Sequence, residues 1–179
     1  MKRKRLLLRM IILLLLFTAI GFALYQNLFT GDSKEVIQVN KPVANFKLAQ
    51  LNGEPIELKK LNGKAVLVNF WGSWCEPCKR EMPSMQDAYN HYKKDEFEIV
   101  AVNVQESDIA VKSFVKSYGL SFPIVLDKEG EVYRSWEIFN LPTSVFIKPN
   151  GKIERTYEGE MSMKQLDQWI RDILPEKPQ

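Results

Sequence analysis

The chain contains two cysteines, and they stand close together in the segment Cys75-Glu76-Pro77-Cys78. The pair directly follows an apolar run at 65–70 and precedes a helical pattern, so the two sulfurs can meet across the first turn of a helix. A helix start lowers the pKa of a thiol through its dipole and its free N–H groups. Pro77 suits that turn, where its missing N–H is not needed. This geometry predicts disulfide exchange, with Cys75 as an exposed nucleophile and Cys78 as a shielded resolving thiol.

Other uses of a C-x-x-C pair fit the sequence less well. Haem attachment requires a histidine at position 79, where the chain has Lys79, and two cysteines with one histidine cannot form a four-ligand zinc site. We therefore expect no metal and no cofactor other than the disulfide. A purely structural disulfide would close so small a loop that it would stabilise the fold little. A non-catalytic binding module with a structural or sensing disulfide remains the alternative.

The elements around the pair indicate an α/β domain. Apolar runs of strand length occur at 65–70, 98–104 and 143–147, as expected for strands that are covered on both faces. Helical spacing fills the intervals between and after them. Strands that alternate with helices predict a central sheet, and the dipeptide Asn150-Gly151 adds an antiparallel hairpin. The apolar positions with helical spacing are Met82, Met85, Tyr89 and Tyr92, then Val111, Phe114, Val115 and Tyr118, then Leu166, Trp169, Ile170 and Ile173.

Two motifs resemble the thioredoxin superfamily. The segment NFWGSWCEPCKREMP (69–83) resembles its active-site stretch, and Leu141-Pro142-Thr143 resembles its cis-proline loop. The closer similarity is to the membrane-anchored TlpA/ResA-like thiol–disulfide oxidoreductases, through the CEPC motif, the segment VNVQES (102–107) and the N-terminus. The resemblance covers roughly 38–175. It implies a thioredoxin-like domain over 42–175, with a central mixed β-sheet flanked by helices and one transmembrane helix before it.

The resemblance also implies how residues near the cysteines act. Pro142 is expected to lie opposite the cysteines after a cis bond, with Leu141 before it in a partner-binding position. Trp74 is expected beside the site, although ordinary core packing would explain a tryptophan equally well. Glu76 and Pro77 lie between the cysteines, where a partner docks; the acid disfavours the Cys75 thiolate and can select a cationic partner surface.

The proton released by Cys78 has no obvious acceptor. Thioredoxins usually have a buried aspartate where this chain has Asn69, and an amide cannot titrate. Glu106 is the predicted replacement, because it follows the strand 98–104 and the family pattern places an acid there; an exposed loop glutamate is the alternative. Glu81 lies three residues after Cys78 on the same helical face, so it is also expected near the disulfide unless it is a solvated helix charge.

The N-terminus predicts a membrane anchor. Five of the first ten residues are basic, so the remainder of the chain has 20 basic and 22 acidic residues and lacks a basic surface for nucleic acid. Residues 1–9 are predicted to be cytoplasmic, 10–29 a transmembrane signal-anchor and 30–41 a tether, with the domain outside the cytoplasm. A cleaved signal peptide ending near Gly21-Phe22-Ala23 is the alternative, and it gives the same location.

The family resemblance implies a particular role. Proteins of this type reduce the disulfide in the CxxCH motif of apocytochrome c so that haem can be attached. They receive electrons from a membrane protein of the CcdA type, and this chain, which has no flavin or nicotinamide motif and no third cysteine, would need such a donor. A general oxidant or isomerase of exported proteins is the alternative within the enzyme class, since the direction of exchange depends on thiolate stability.

Overall fold

The computed structural model describes residues 9–18, 20–22 and 38–175. The chain divides into two compact units, Met1–Lys34 and Glu35–Gln179. Residues 9–18 and 20–22 of the first unit are helical. Among the described residues, no helix is both long enough and apolar enough to cross a membrane. Residues 1–8 of the predicted cytoplasmic segment, residues 19 and 23–29 of the predicted anchor and 30–37 of the predicted tether lie outside the described residues, so these assignments stay predictions.

The second unit is an α/β domain built on one mixed sheet. Its seven strands lie in the order β2-β1-β5-β4-β3-β6-β7, with β3 parallel to β4 and β4 parallel to β5, and the remaining pairs antiparallel. The strands are β1 Lys47–Gln50, β2 Ile56–Glu57, β3 Ala65–Trp71, β4 Phe97–Val104, β5 Ile124–Asp127, β6 Thr143–Ile147 and β7 Ile153–Glu158. The helices are a 3-10 turn at Leu58–Leu61 and α1 Glu76–Tyr92, α2 Asp108–Tyr118, α3 Glu131–Ser135 and α4 Met163–Ile173. The predicted thioredoxin-like fold is confirmed.

Strand β3 is buried along its whole length because both faces of the sheet are covered. Successive side chains of a strand point to opposite faces. Leu67 and Trp71 accordingly pack in one apolar cluster with both cysteines, whereas Val68 and Phe70 pack in the cluster on the other face. The helix that carries the cysteines is thus packed on the face of the sheet that Leu67 and Trp71 share.

Three segments of the chain meet at one end of the strands of the sheet. Parallel strands β3 and β4 both end there, with Trp71 opposite Asn103 in the register. Strand β6 is antiparallel to β3 and begins at the same edge, with Thr143 opposite Phe70. The loops after β3, after β4 and before β6 therefore converge, and they carry most of the residues that the sequence singles out.

Candidate active site

The C-x-x-C segment forms the start of α1. Cys75 is the N-cap residue, and its Sγ accepts a hydrogen bond from the Cys78 N–H at 3.3 Å. Pro77 lies in the first turn, as predicted. The two cysteines form a disulfide. The Cys75 sulfur therefore lies where the helix dipole and a free N–H group favour a thiolate after reduction.

The two sulfurs differ in access less than expected. Cys78 is fully buried, and Cys75 is only 5% exposed. The predicted order of access is found, but Cys75 is not openly exposed in the disulfide form, because both cysteines pack in the apolar cluster beneath α1. A partner must bring its sulfur to a recessed point.

Trp74 lies at the surface, directly before the recessed Cys75. Its side chain is 65% exposed, so core packing is the wrong explanation for this tryptophan. The indole lies against Gly72, where an added Cβ would come within 2.9 Å of its Nε1. A glycine at position 72 thus leaves room for the indole of Trp74, the residue before Cys75.

The loop before β6 has the expected geometry. The Leu141–Pro142 peptide bond is cis. Because Thr143 is opposite Phe70, Pro142 lies next to the end of β3, from which the chain continues to Cys75. Thr143 Oγ1 donates to the Asn140 carbonyl at 2.7 Å and stabilises the turn. Leu141 is half-buried and contacts apolar residues of both core clusters.

Glu81 is buried beside the usual position of the thioredoxin aspartate. It is 1% exposed, so a solvated helix charge is the wrong description. Asn69 Nδ2 donates to Glu81 Oε1 at 2.9 Å and to Ser144 Oγ at 3.0 Å, and the Met161 N–H donates to Glu81 Oε2 at 3.2 Å. Burial raises the pKa of Glu81 to about 7, despite these hydrogen bonds, which lower it. A carboxyl of this kind exchanges protons near neutral pH.

Glu106 is held differently. Its Oε2 accepts from the Ser73 N–H and from Asn103 Nδ2, each at 2.6 Å, and its Oε1 accepts from the Ser73 hydroxyl. The residue is half-buried, so an exposed loop glutamate is the wrong description. An ionised carboxylate only accepts hydrogen bonds, and all three partners are donors. Glu106 therefore ties the loop before Cys75 to the end of β4, while the carboxyl that meets Asn69 belongs to Glu81.

Glu76 lies on the open side of α1. Its carboxylate pairs with Lys79 Nζ at 2.5 Å. The hydrogen bond from Lys79, followed by the charge of that lysine, lowers the pKa of Glu76. Part of the negative charge that we expected to oppose the Cys75 thiolate is therefore neutralised within the same helical turn.

Sequence reasoning missed the residues that hold the carboxyl groups of Glu81 and Glu106. Ser73 and Asn103 lie inside the quoted motifs, so their positions were visible but their partners were not. Ser144 contacts Asn69 because β6 pairs with β3, and the Met161 N–H contacts Glu81 because the chain before α4 folds next to α1. No local pattern marks them.

These features together define a class of protein. A thioredoxin-like sheet, a C-x-x-C disulfide at a helix N-terminus and a cis-proline loop at the same edge are the components of a thiol–disulfide oxidoreductase. The chain belongs to the AhpC/TSA family, whose sequence profile matches residues 39–156.

Comparison with related proteins indicates which thiol–disulfide oxidoreductases the chain resembles. The chain is 46% identical over 175 residues to thiol-disulfide oxidoreductase ResA of Bacillus thuringiensis, a match that covers 98% of this chain and all of the relative. The structure of StoA from Bacillus subtilis superposes with a TM-score of 0.63 at 36% identity, covering 73% of this chain and 98% of that one. A thiol:disulfide interchange protein of the thioredoxin family from Chlorobium tepidum gives 0.71 at 27% identity, covering 77% and 99%. The protein is a thiol–disulfide oxidoreductase, and Cys75 and Cys78 stand at the active-site position.

Proposed function

We propose that the protein is an extracytoplasmic reductant that opens the CxxCH disulfide of apocytochrome c before haem attachment. The observation that carries the proposal is the match to ResA along essentially the whole chain, at 46% identity. The cytochrome substrate is what the family resemblance implies, and the exposed Trp74 beside a recessed Cys75 supports a protein partner, since exposed aromatic side chains often form contacts at interfaces.

The proposed reaction has two exchange steps. The Cys75 thiolate attacks one sulfur of the substrate disulfide, forms a mixed disulfide and releases the other substrate sulfur as a thiolate. Cys78 then loses its proton and attacks the Cys75 sulfur. The Cys75–Cys78 disulfide forms, and the second substrate thiolate leaves. The substrate gains two electrons, and the protein loses two.

Glu81 is the proposed proton acceptor for Cys78. The two residues lie three positions apart on the buried face of α1. A carboxyl whose pKa is about 7 can take up a proton from a thiol and release it again without leaving the neutral range. Glu106, with both oxygens already hydrogen-bonded, is the proposed holder of the nucleophile loop.

The cycle requires a reductant from outside the chain. Exported compartments are generally oxidising, so we propose that a CcdA-type membrane protein re-reduces the Cys75–Cys78 disulfide. The proposed location follows from the basic N-terminus before the apolar run. A reporter that is active only in the cytoplasm, fused after Gln179, should be silent; an active fusion would refute the location.

The substrate is tested with paired peptides. The reduced full-length protein should reduce an oxidised CxxCH peptide faster than the same peptide with alanine in place of histidine, as measured by thiol release. Deleting the gene should abolish haem-stained c-type cytochromes, and an added small thiol should restore them. If cytochromes persist and the protein instead oxidises or isomerises unrelated exported substrates equally well, the general oxidant alternative is correct.

A further inference from the structure

The connection between β7 and α4 contacts the cis-proline loop and α1 through three consecutive residues. The Gly159 N–H donates to the Pro142 carbonyl at 2.8 Å. The Glu160 carboxylate accepts from Arg80 Nε at 2.7 Å, and the Met161 N–H donates to Glu81 Oε2 at 3.2 Å. We call residues 159–161 the strap. It joins the cis-proline loop to the helix that carries the cysteines.

The strap makes one exposed contact and one buried contact with α1. Arg80 and Glu160 are exposed, whereas Glu81 and Met161 are buried. Because Arg80 and Glu81 are adjacent in sequence, and so are Glu160 and Met161, the ion pair lies directly outside the buried hydrogen bond. An opening of the strap would therefore break both contacts and admit water to the Glu81 carboxyl.

We propose that the strap is a positioning element that holds the Glu81 carboxyl against Asn69 and closes it off from solvent, with the Arg80–Glu160 ion pair as its outer fastening. This inference rests on the proposed role of Glu81 in proton transfer. Arg80 and Glu160 are positioning residues, since they act on the thiol chemistry only through Glu81. The Arg80 side chain is bound by Glu160 of the strap. Replacing either residue of this pair should therefore loosen the strap.

The charges that face Glu81 determine the sign of the effect. Asn69, Ser144 and the Met161 N–H are uncharged, and the cysteines do not titrate while they form the disulfide. Burial is the main cause of the raised pKa of Glu81, and the negative charge of Glu160 raises it further. Replacing Glu160 by glutamine removes that charge and loosens the cover over the carboxyl. Both changes lower the pKa of Glu81.

The test is a direct titration of Glu81 in the oxidised full-length chain. Carboxyl-13C glutamate reports each side chain by NMR, and the Glu81→Gln variant assigns the Glu81 resonance. Glu160→Gln should move the titration midpoint of Glu81 down by roughly 0.2–0.7 pH unit, the range that an exposed ion pair commands. Glu160→Gln and Arg80→Gln should both speed hydrogen exchange at the Met161 amide, and Arg80→Lys should restore it.

The matched control is the ion pair between two half-buried residues, Lys148 and Glu154, whose Nζ and Oε2 atoms lie 2.6 Å apart. Lys148 follows β6 at the opposite edge of the sheet from Cys75. Glu154→Gln should therefore change neither the Glu81 midpoint nor Met161 exchange. If Glu160→Gln and Arg80→Gln behave as Glu154→Gln does, the strap has no positioning role. Because these measurements need no substrate, their outcome is independent of whether apocytochrome c is reduced.

Discussion

Glu81 and Glu106 lie near the same disulfide but are bound in opposite ways. The Glu81 carboxyl is almost fully buried and accepts one hydrogen bond at each oxygen, from Asn69 and from the Met161 N–H. The Glu106 carboxylate is half-buried and accepts three, two from Ser73 and one from Asn103. Burial favours the neutral form of Glu81, whereas the three donors around Glu106 hold its carboxyl group in one position. This difference in environment is the basis for the two roles proposed for these glutamates, proton transfer at Glu81 and loop positioning at Glu106.

The proposed role of Glu81 beside Cys78 requires that Cys75 is the sulfur that attacks the substrate. Cys75→Ala should abolish disulfide exchange, because the attacking sulfur is lost. Cys78→Ala should attack once and then stall as a mixed disulfide, which mass spectrometry of trapped partners would detect. Normal turnover by Cys78→Ala, or exchange by Cys75→Ala, would reverse the assignment of the two sulfurs and remove the reason for placing the proton acceptor beside Cys78.

The most direct test of the difference between Glu81 and Glu106 is to remove the titrating group of Glu81. Glu81→Gln keeps the size of the side chain and removes its proton affinity, so the second exchange step should slow on the order of 100-fold, the lower end of what a positioned proton carrier contributes. Stopped-flow measurement across pH should also show that the inflection near the pKa of Glu81 disappears. Glu154→Gln is the control. A Glu81→Gln profile that matches the wild type would leave Glu81 as a structural acid.

The same carboxyl should make stability depend on pH. Its pKa is about 7 in the folded protein against 4.5 as the reference, so the folded state binds more protons between these values. The stabilising contribution is fully present below about pH 4.5 and is lost as pH rises through about 7. At about 1.4 kcal/mol per pH unit, the loss of folding free energy is about 3–4 kcal/mol. Urea unfolding of the oxidised protein should show this decline, and Glu81→Gln should remove it; equal slopes in both proteins would mean that the folded-state pKa of Glu81 is not raised.

Replacing Glu106 should have a smaller effect, seen in the pKa values of the thiols and in the exchange rate. If its charge acts on the thiols, Glu106→Gln should lower the pKa values of Cys75 and Cys78, because a nearby negative charge opposes thiolate formation. The amide would also place a donor against Ser73 or Asn103, so exchange should slow by roughly 3–10-fold, the cost of disturbing one or two hydrogen bonds. Alkylation of both cysteines against pH is the measurement, with Glu106→Asp as the conservative variant. Superimposable curves and an unchanged rate would leave Glu106 without a role in exchange.

Local patterns predicted the parts of the molecule whose causes are local. The apolar runs became β3, β4 and β6, because a buried strand needs an apolar side chain at nearly every position. The C-x-x-C pair formed at a helix start because Cys75 acts as the N-cap, Pro77 suits the first turn and the apolar residues that follow have helical spacing. Ser162 and Gln165 likewise formed the capping box that begins α4.

The assignment of the two acids could not be read from local patterns. Sequence reasoning favoured Glu106 as the proton acceptor, since it follows a strand at the ligand-binding edge, and treated Glu81 as the weaker choice. Whether a carboxyl is a proton carrier depends on how deeply it is buried and on the donors around it. The donors to Glu81 come from Asn69 of β3 and Met161 of the strap, 12 and 80 residues away in the chain.

The sequence alone therefore determined the redox chemistry, the α/β class and the position of the cysteine pair at a helix start, because each depends on neighbouring residues. Only the tertiary structure decided which glutamate meets Asn69, how far Cys75 is recessed and that Arg80 fastens the strap. The physical reason is the same in each case: burial, donor number and charge at a point in space are set by segments that no sequence window contains together.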